Sequence, residues 1–432
     1  MPKPIAGRKY TIVQGDNLST ISSAAYGSPR DWRKIWKANK VTLRSGDPDL
    51  IFPGEVIWIP GQVEAESAER AARGDAASRL PGKDPDDFTI VVDGIEVPCI
   101  DGTAFRAVDT CADGFAAVIP WDSTGTGERT RELAEKLKPY SYPDVECYLG
   151  GELVMRGRLY TVAASISAQG VTLDLEGWSY AADLVDSTVR PPYEAKKVTL
   201  EQRIKDLIEG FAIDLDFQLE DDDAFERITI QPTETVFNHI LDLARQRKAL
   251  VTSDAQGALV VAQAAVDSGS VFTLEEGRRP LAQASIRFDG RARFNTYEAI
   301  TSAPRKKGKN NPSPTAVAKD DRVPAARMLR FQVDDVTEST IQEAANWERS
   351  RHVADSLGVT IPVDGWQVPG TQDLWRENTI VTLKSASLFV PDGFDFLIRS
   401  VEYVFGDTGT TARLELVPPE TYTGEEIEEP WT

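Results

Sequence analysis

Polar and apolar residues alternate near the start of the chain. In the segment RKYTIVQ, Tyr10 and Ile12 fall on the same side, which is the period of a half-buried strand. The segments NLSTIS and WRKIW then place their apolar residues at helical spacing, and EVIWI returns to strand after a Pro-Gly turn. The pattern predicts a small β-α-α-β module between Lys9 and Pro60.

The residues that follow the module have a different composition. Residues 61–87 are rich in Ala, Glu and Arg and poor in large apolar side chains, so they cannot bury a core and are predicted to be a linker. Short strands separated by turn dipeptides begin at Phe88, and their regular spacing is typical of a barrel or sandwich. The predicted turns are Asp93-Gly94, Asp113-Gly114, Gly150-Gly151, Gln256-Gly257 and Asp392-Gly393.

Within this long β region, the spacing of the apolar residues changes from the period of a strand to that of a helix. Two amphipathic helical patterns and a hairpin occupy residues 198–262, and Thr199 with Gln202 forms a capping box for the first helix. Strand patterns resume afterwards, interrupted by a Pro- and Asn-rich segment and a helix near Ile341–Leu357.

We therefore predict an α+β, mostly β fold: a small β-α-α-β module, then two β-barrel-like domains with an α/β insert domain. The predicted boundaries are 7–61 for the module, 62–87 for the linker, 88–194 for the first barrel-like domain, 195–285 for the α/β domain, and 286–432 for the second barrel-like domain, with an inserted loop and helix at 304–360.

Composition narrows the functional classes. The chain has 432 residues with 48 basic and 68 acidic side chains, hence a net charge of −20. A surface that repels phosphates gains no affinity from counterion release, so sequence-specific or general nucleic-acid binding is not expected. No apolar run reaches the roughly 18 residues of a membrane span, and no apolar signal segment is visible near the N-terminus, so we expect neither a membrane anchor nor secretion by the usual route.

The residue types that usually form catalytic, metal or phosphate-binding sites are few in this sequence, or they lack the spacing that such sites require. His239 and His352 both lie in helical patterns, where packing or solvation explains them. Cys99, Cys111 and Cys147 have neither disulfide nor zinc-site spacing, and phosphate-binding glycine motifs are missing. The acidic segment LEDDDAFE lacks the spacing of a calcium loop and is predicted to be solvated. We therefore predict no catalytic residue, no metal site and no cofactor.

The N-terminal module resembles the LysM family over Lys9 to Pro60, through GDNLSTIS, YG, IWKAN and DLIFPGEVIWIP. The resemblance implies a shallow groove between two loops, which holds N-acetylglucosamine chains in that family. Small modules are also reused for docking proteins, so sugar and protein remain alternative ligands. The matching residues are Gly15, Asp16, Asn17, Leu18, Asp49, Leu50, Ile51, Phe52, Pro53 and Gly54.

The rest of the chain resembles the baseplate hub proteins of contractile phage tails, of the phage Mu hub type, which are related to the spike hubs of type VI secretion. The resemblance rests on YLGGELVMRGRLYTVAASISAQGVTLDLEGWSYAADLVDSTV, on the helix–helix–hairpin region 198–262, and on the run from Trp366 to Tyr422. Two features depart from it: the LysM module is not part of the simplest hubs, and Trp178 stands where a polar or basic residue is expected.

This resemblance implies a structural protein rather than an enzyme. We expect a homotrimer in the virion tail baseplate, made in the host bacterial cytoplasm, that joins the tail tube or a tube-initiator protein to a trimeric spike protein. Baseplate wedge proteins, the tape measure protein and peptidoglycan are further candidate partners, and the LysM module would dock a neighbouring tail protein or peptidoglycan. The alternatives are a LysM-targeted peptidoglycan hydrolase and a wall-binding protein.

Overall fold

The computed structural model describes residues 3–4, 8–26, 32–39, 43–44, 50–59, 79–122, 127–168, 170–211, 213–220, 222–266, 268–281, 283–301, 315–324, 326–333, 338–423, 425, 427 and 429. These residues form two compact units, Met1–Arg79 and Leu80–Thr432. None of the helices in these ranges combines the length and hydropathy that a membrane-spanning helix needs.

The first unit has the predicted β-α-α-β order. Its elements are β1 (Arg8–Thr11), α1 (Leu18–Tyr26), α2 (Trp32–Asn39) and β2 (Val56–Ile59). The two strands pair antiparallel, with Tyr10 opposite Ile57. The core lies between the strands and the helices because each element turns its apolar positions inward; it contains Tyr10, Ile12, Leu18, Ile21, Ile35, Leu43, Ile57 and Ile59.

The second unit starts with a region of antiparallel strands, here called the first lobe (residues 88–179). Its strands are β3 (Phe88–Val92), β4 (Ile95–Pro98), β5 (Asp101–Ala107), β6 (Gly114–Pro120), β7 (Asp144–Leu149), β8 (Glu152–Ser167) and β9 (Gly170–Ser179), with helix α3 (Glu128–Lys136) between β6 and β7. Residues 80–87 also belong to this unit, since the Leu80 N–H donates to the Gly151 carbonyl. The second unit therefore begins within the predicted linker.

A second core defines the α/β part of the unit. It begins at Ala181 and ends near Val261, and Cys111 from the first lobe packs into it. Its elements are α4 (Asp183–Asp186), β10 (Glu194–Ala195), α5 (Leu200–Ile208), β11 (Leu215–Phe217), β12 (Ile228–Thr229), α6 (Val236–Arg245), β13 (Ala249–Ser253) and β14 (Leu259–Gln263). The predicted cap of α5 is confirmed, because the Thr199 hydroxyl accepts from the Gln202 N–H.

The remaining strands build a second lobe around one very long strand. They are β15 (Phe272–Glu275), β16 (Ser285–Phe288), β20 (Leu357–Asp364), β21 (Ile380–Ser385), β22 (Val390–Gly406) and β23 (Gly409–Val417). Strand β22 pairs with β21 and β23, and it also pairs with β5 of the first lobe. The two lobes therefore share one sheet, of thirteen strands within the described ranges, and one hydrophobic core.

The inserted region contains more structure than the sequence pattern indicated. Strands β17 (Thr296–Thr301), β18 (Thr315–Lys319) and β19 (Met328–Val333) form a separate sheet, against which α7 (Glu338–Asp355) packs. Residues 304–314 of the predicted loop lie outside the described residues. The region is thus a small α+β layer rather than only a loop and a helix.

Two of the predicted turns are wrong. Asp392 and Gly393 lie inside β22, and the turn between β21 and β22 falls at residues 386–389. Gly114 is already the first residue of β6, and Asp113 is buried. Gly114 instead pairs with Trp178 of β9, and the β21–β22 ladder continues past Asp392 and Gly393 to Ser385 opposite Val390, so strand pairing overrides the local turn signal in both cases. The α+β, mostly β fold class is confirmed, whereas the exact domain boundaries remain a prediction.

Candidate functional site

The two loops that resemble the LysM groove leave the same end of the β1–β2 pair. The Ile12 N–H donates to the Glu55 carbonyl at 2.9 Å, and the Gly54 N–H donates to the Ile12 carbonyl at 2.8 Å. Residues 15–18 and 50–54 are therefore brought together by backbone pairing. Gly15 and Gly54 have φ of +96° and +89°, a conformation that glycine adopts without strain. Asp49 lies outside the described residues.

The polar residues of the first loop have structural partners. The Asp16 carboxylate accepts from the Tyr10 hydroxyl at 2.9 Å, and the Asn17 side-chain oxygen accepts from the Thr20 N–H at 2.8 Å, which caps α1. Leu18 is buried in the core. The fold alone explains these three identities, and the loop offers a ligand mainly its backbone.

The second loop is held by a residue that sequence reasoning did not single out. The Glu55 carboxylate accepts from the N–H groups of Phe52 at 2.8 Å and Arg44 at 2.9 Å, and these hydrogen bonds lower the pKa of Glu55. The sequence does contain a signal for this role: Glu55 stands directly after the Pro53-Gly54 turn, three residues beyond Phe52, where its carboxylate can accept from the backbone of the turn. Ile51 packs against the core, whereas Leu50 remains exposed.

Three apolar side chains in and next to the second loop are exposed to solvent. Leu50 is 51% exposed, Phe52 40% and Val56 55%. Side chains of this kind can pack on the apolar face of a sugar ring or on an apolar patch of a protein. The geometry is compatible with either ligand.

A buried polar junction in the second unit joins the two lobes and the α/β part. Arg106 on β5 donates to the Glu377 carboxylate at 2.9 Å, to the Val154 carbonyl at 2.6 Å and to the Ser253 carbonyl at 3.0 Å. Glu377 belongs to the second lobe, Val154 to the first and Ser253 to the α/β part. The Ser253 hydroxyl in turn donates to Asp113 at 2.8 Å. One guanidinium thus contacts all three parts, an arrangement that sequence reasoning missed.

Burial shifts the pKa values of the two carboxyl groups at this junction, and Arg106 opposes the shift. Desolvation raises the pKa of Asp113 to about 7, although attraction to Arg106, 3.6 Å away, acts in the opposite direction. Desolvation also opposes the ionisation of Glu377, but attraction to Arg106 and Arg376 outweighs it and lowers the pKa. Arg106 and Glu377 therefore form the ion pair, and Asp113 is the group that can change protonation near neutral pH.

Two other titratable residues from the sequence analysis, His239 and Asp222, have structural roles. His239 is buried in α6, and burial lowers its pKa to about 4. Asp222 of the acidic segment accepts from the Leu200 and Glu201 N–H groups, both at 2.8 Å, and so caps α5. In the ranges that the structure describes, no group of three or more His, Cys, Asp or Glu is placed to hold a metal ion.

Comparisons with known families and proteins agree with this architecture. The LysM domain family matches residues 10–60, the second domain of gp44-like baseplate hub proteins matches residues 181–263, and the fourth domain of the Mu phage baseplate assembly protein GpP matches residues 337–425. The baseplate hub protein gp44 of Escherichia phage Mu is 28% identical over 288 residues, which is 63% of this chain and 74% of that protein. The chain carries a LysM domain joined to Mu-type baseplate hub domains.

Solved structures show the same fold for the hub domains. The 43 kDa tail protein of prophage MuSo2 from Shewanella oneidensis aligns with a TM-score of 0.65 and 23% identity, over 78% of this chain and 99% of that one. A tail protein from Neisseria meningitidis MC58 aligns with a TM-score of 0.66 and 21% identity, over 78% and 98% of the two chains. The resemblances inferred from the sequence are therefore confirmed.

Proposed function

We propose that this baseplate hub protein assembles as a closed ring of three copies, which joins the tail tube to the central spike of a phage tail. One observation carries the proposal: each chain holds two β lobes side by side, joined edge to edge through β22 and β5. Three chains would present six lobes around an axis. Such a ring can match a sixfold tube on one face and a threefold spike on the other.

The proposed role is mechanical and not enzymatic. The Arg106 junction supports a rigid body, because a buried ion pair with additional hydrogen bonds holds its neighbours in one arrangement. The partners would be a trimeric spike protein, the tube or a tube-initiator protein, and the baseplate wedges, with the tape measure protein as a further candidate. The protein would be made in the host cytoplasm and reside in the virion baseplate.

The oligomeric state tests this proposal directly. Light scattering of the full chain should give the mass of three copies, at least when the spike protein is present. A single-chain mass under both conditions would contradict the ring. A digestion assay on purified cell walls separates this role from a LysM-targeted hydrolase: walls that lose turbidity on addition of the chain would overturn the non-enzymatic role.

For the LysM domain we propose docking to a neighbouring tail protein, with peptidoglycan as the alternative ligand. The exposed Leu50 and Phe52 support a contact through this loop. The double variant Leu50→Ala, Phe52→Ala should lower the yield of complete tails and leave sedimentation with purified peptidoglycan unchanged. Ser23→Ala, an exposed position on α1, is the matched control. Complete tails together with lost sedimentation would assign the loop to peptidoglycan instead.

A further inference from the structure

Strands β5, β6 and β9 of the first lobe have one face on the core and one face toward solvent. Ala104, Phe115 and Leu175 point into the core, and the residues that alternate with them lie on the other face. Directly opposed residues of antiparallel strands point to the same side of a sheet. The register therefore identifies which side chains share the solvent face.

Three rows of side chains cross this face from β5 through β6 to β9. The rows are Phe105–Gly114–Trp178, Thr103–Ala116–Glu176 and Asp101–Val118–Asp174. Strand β6 supplies the middle residue of each row, and these residues are small, whereas longer side chains stand on β9 and at both ends of β5. The face thus has a shallow trough along β6, here called the β6 trough, with aromatic rings at one end and carboxylates at the other.

Phe105 and Trp178 form the aromatic end of the trough. Their side chains are 37% and 39% exposed. The indole lies over Gly114, because a Cβ added at that glycine would come within 2.6 Å of the Trp178 Cε3 atom. The resemblance to hub proteins leads one to expect a polar or basic residue at position 178. The exposed indole instead offers a partner an apolar surface.

Asp101 and Asp174 form the acidic end, one on each side of Val118. Two strand spacings separate their Cα atoms, which is about 10 Å, so a cationic group fits between the two carboxylates. Within the described ranges Asp101, Asp174 and Glu176 form no ion pair, whereas Glu402 on the neighbouring strand β22 pairs with Arg413. The trough therefore carries uncompensated negative charge.

We propose that the β6 trough binds a short extended segment of a partner protein. An apolar side chain of that segment packs against Phe105 and Trp178, and a lysine or arginine lies between Asp101 and Asp174. Neighbouring rows are about 7 Å apart along a strand, so the two ends are about 14 Å apart, the length of about four residues of extended chain. The inference needs only one chain and does not depend on the proposed ring.

The charge of the trough favours a basic polypeptide over other polymers. Carboxylates repel phosphates, so a nucleic acid gains no affinity here. A neutral sugar chain can pack on Trp178 but does not neutralise Asp101, Asp174 and Glu176. A segment with an apolar and a basic residue matches both ends of the trough.

Photocrosslinking from beside the trough tests the site. Ala163 is exposed on β8, directly opposite Asp174. The full-length Ala163→Cys variant, labelled with a benzophenone maleimide, should capture a synthetic serine-rich peptide that carries a phenylalanine and a lysine about four positions apart. Replacing that lysine with glutamate should reduce capture at least about five-fold. Label at Ala386→Cys, on the turn between β21 and β22, should capture neither peptide, and the labelled unsubstituted chain measures the background from Cys99.

Substitutions in the labelled Ala163→Cys chain separate the two ends of the trough. Trp178→Ser should reduce capture about five-fold, and Trp178→Phe should retain most of it, because a ring is needed at this position. Asp174→Asn should reduce capture of the lysine peptide about three-fold and leave the glutamate peptide unchanged. Asp373→Asn, which removes an exposed carboxylate elsewhere in the unit, is the matched control and should change neither.

Three results would overturn the proposal. Failure of the Ala163→Cys chain to capture the lysine peptide would remove the site. Equal effects of Asp174→Asn and Asp373→Asn, or unchanged capture after Trp178→Ser, would show that the peptide responds only to the net charge of the chain. Competition by a soluble N-acetylglucosamine oligomer would assign the trough to a sugar chain. Light scattering reads the ring separately, since these variants should keep the mass of the unsubstituted chain.

Discussion

Replacing Arg106 with methionine removes the charge from the buried junction and keeps most of the aliphatic stem. The Arg106 side chain is only 6% exposed, and its partners Glu377 and Asp113 are 10% and 0% exposed. The variant would remove the cation that both buried carboxylates share and would leave only Arg376 near Glu377. Breaking a buried pair in this way costs about 3–5 kcal/mol, which lowers the folding equilibrium constant by roughly two to four orders of magnitude.

Urea unfolding followed by tryptophan fluorescence is a suitable assay, because Trp366 and Trp375 are buried in the core that the two lobes share. The first unit can unfold separately, so the transition of the second unit has to be fitted by itself. The loss should be larger at pH 8 than at pH 5, since protonation relieves unpaired buried carboxylates.

The matched control is Arg413→Met, which breaks an exposed pair with Glu402 on neighbouring strands of the same sheet. Screening by solvent limits its cost to about 0–1 kcal/mol. If Arg106→Met cost no more than this control, the junction would not hold the lobes together, and the reasoning about buried charge would be refuted.

Three further substitutions have distinct expected outcomes. The raised pKa of Asp113 means that the folded state binds the extra proton, so stability should fall as pH rises from about 4 to about 7, and Asp113→Asn should remove this slope in denaturation midpoints. The pKa of His239 is lowered to about 4, so its contribution to stability should be lost as pH falls from about 6.5 to about 4; His239→Gln should abolish that loss, and an unchanged acid limb would contradict it. Asp222→Ala should cost about 1 kcal/mol in urea unfolding, because the Leu200 and Glu201 N–H groups of α5 lose their acceptor while the Thr199 cap remains. The exposed neighbour Asp223→Ala serves as control, and equal losses would refute the role of Asp222.

Several parts of the structure could be predicted because their causes lie within a few residues. The capping threonine of α5 is three residues from the N–H that it accepts. The turns at Asp93-Gly94 and Gly150-Gly151 have the left-handed backbone that glycine favours. The LysM module could be predicted as a whole, since its strands and helices follow one another within about fifty residues.

The candidate LysM groove was predictable as a pair of loops but not as a ligand site. Most of its identities serve the turn, the cap or the core, as Asp16, Asn17 and Leu18 do. The role of Glu55 could not be predicted from periodicity, because the geometry of the loop places the Arg44 and Phe52 N–H groups next to its carboxylate.

The acidic segment is mostly exposed, as its composition predicts, but one of its carboxylates has a structural role that the local pattern does not reveal. A run of carboxylates favours a solvated loop, and the sequence offers no reason to single out Asp222. Its role depends on the backbone pairing of Phe225 with Val198, which brings the segment to Leu200 at the start of α5, 22 residues before Asp222. The same holds for the inserted sheet, in which β17 pairs with both β18 and β19 across long connections.

The amino-acid sequence by itself determined most of the elements and their order, the fold class and the resemblance to LysM and hub proteins, because hydrophobic period, caps and turns are local properties. Only the tertiary structure decided that β22 of one lobe pairs with β5 of the other, and that Arg106 contacts Glu377 from 271 positions away. Such contacts depend on which edges and buried charges meet after the chain has folded. The physical reason is that the free energy of such a strand pairing or ion pair depends on which groups lie next to each other in space, and the pattern of neighbouring residues in the sequence does not contain that information.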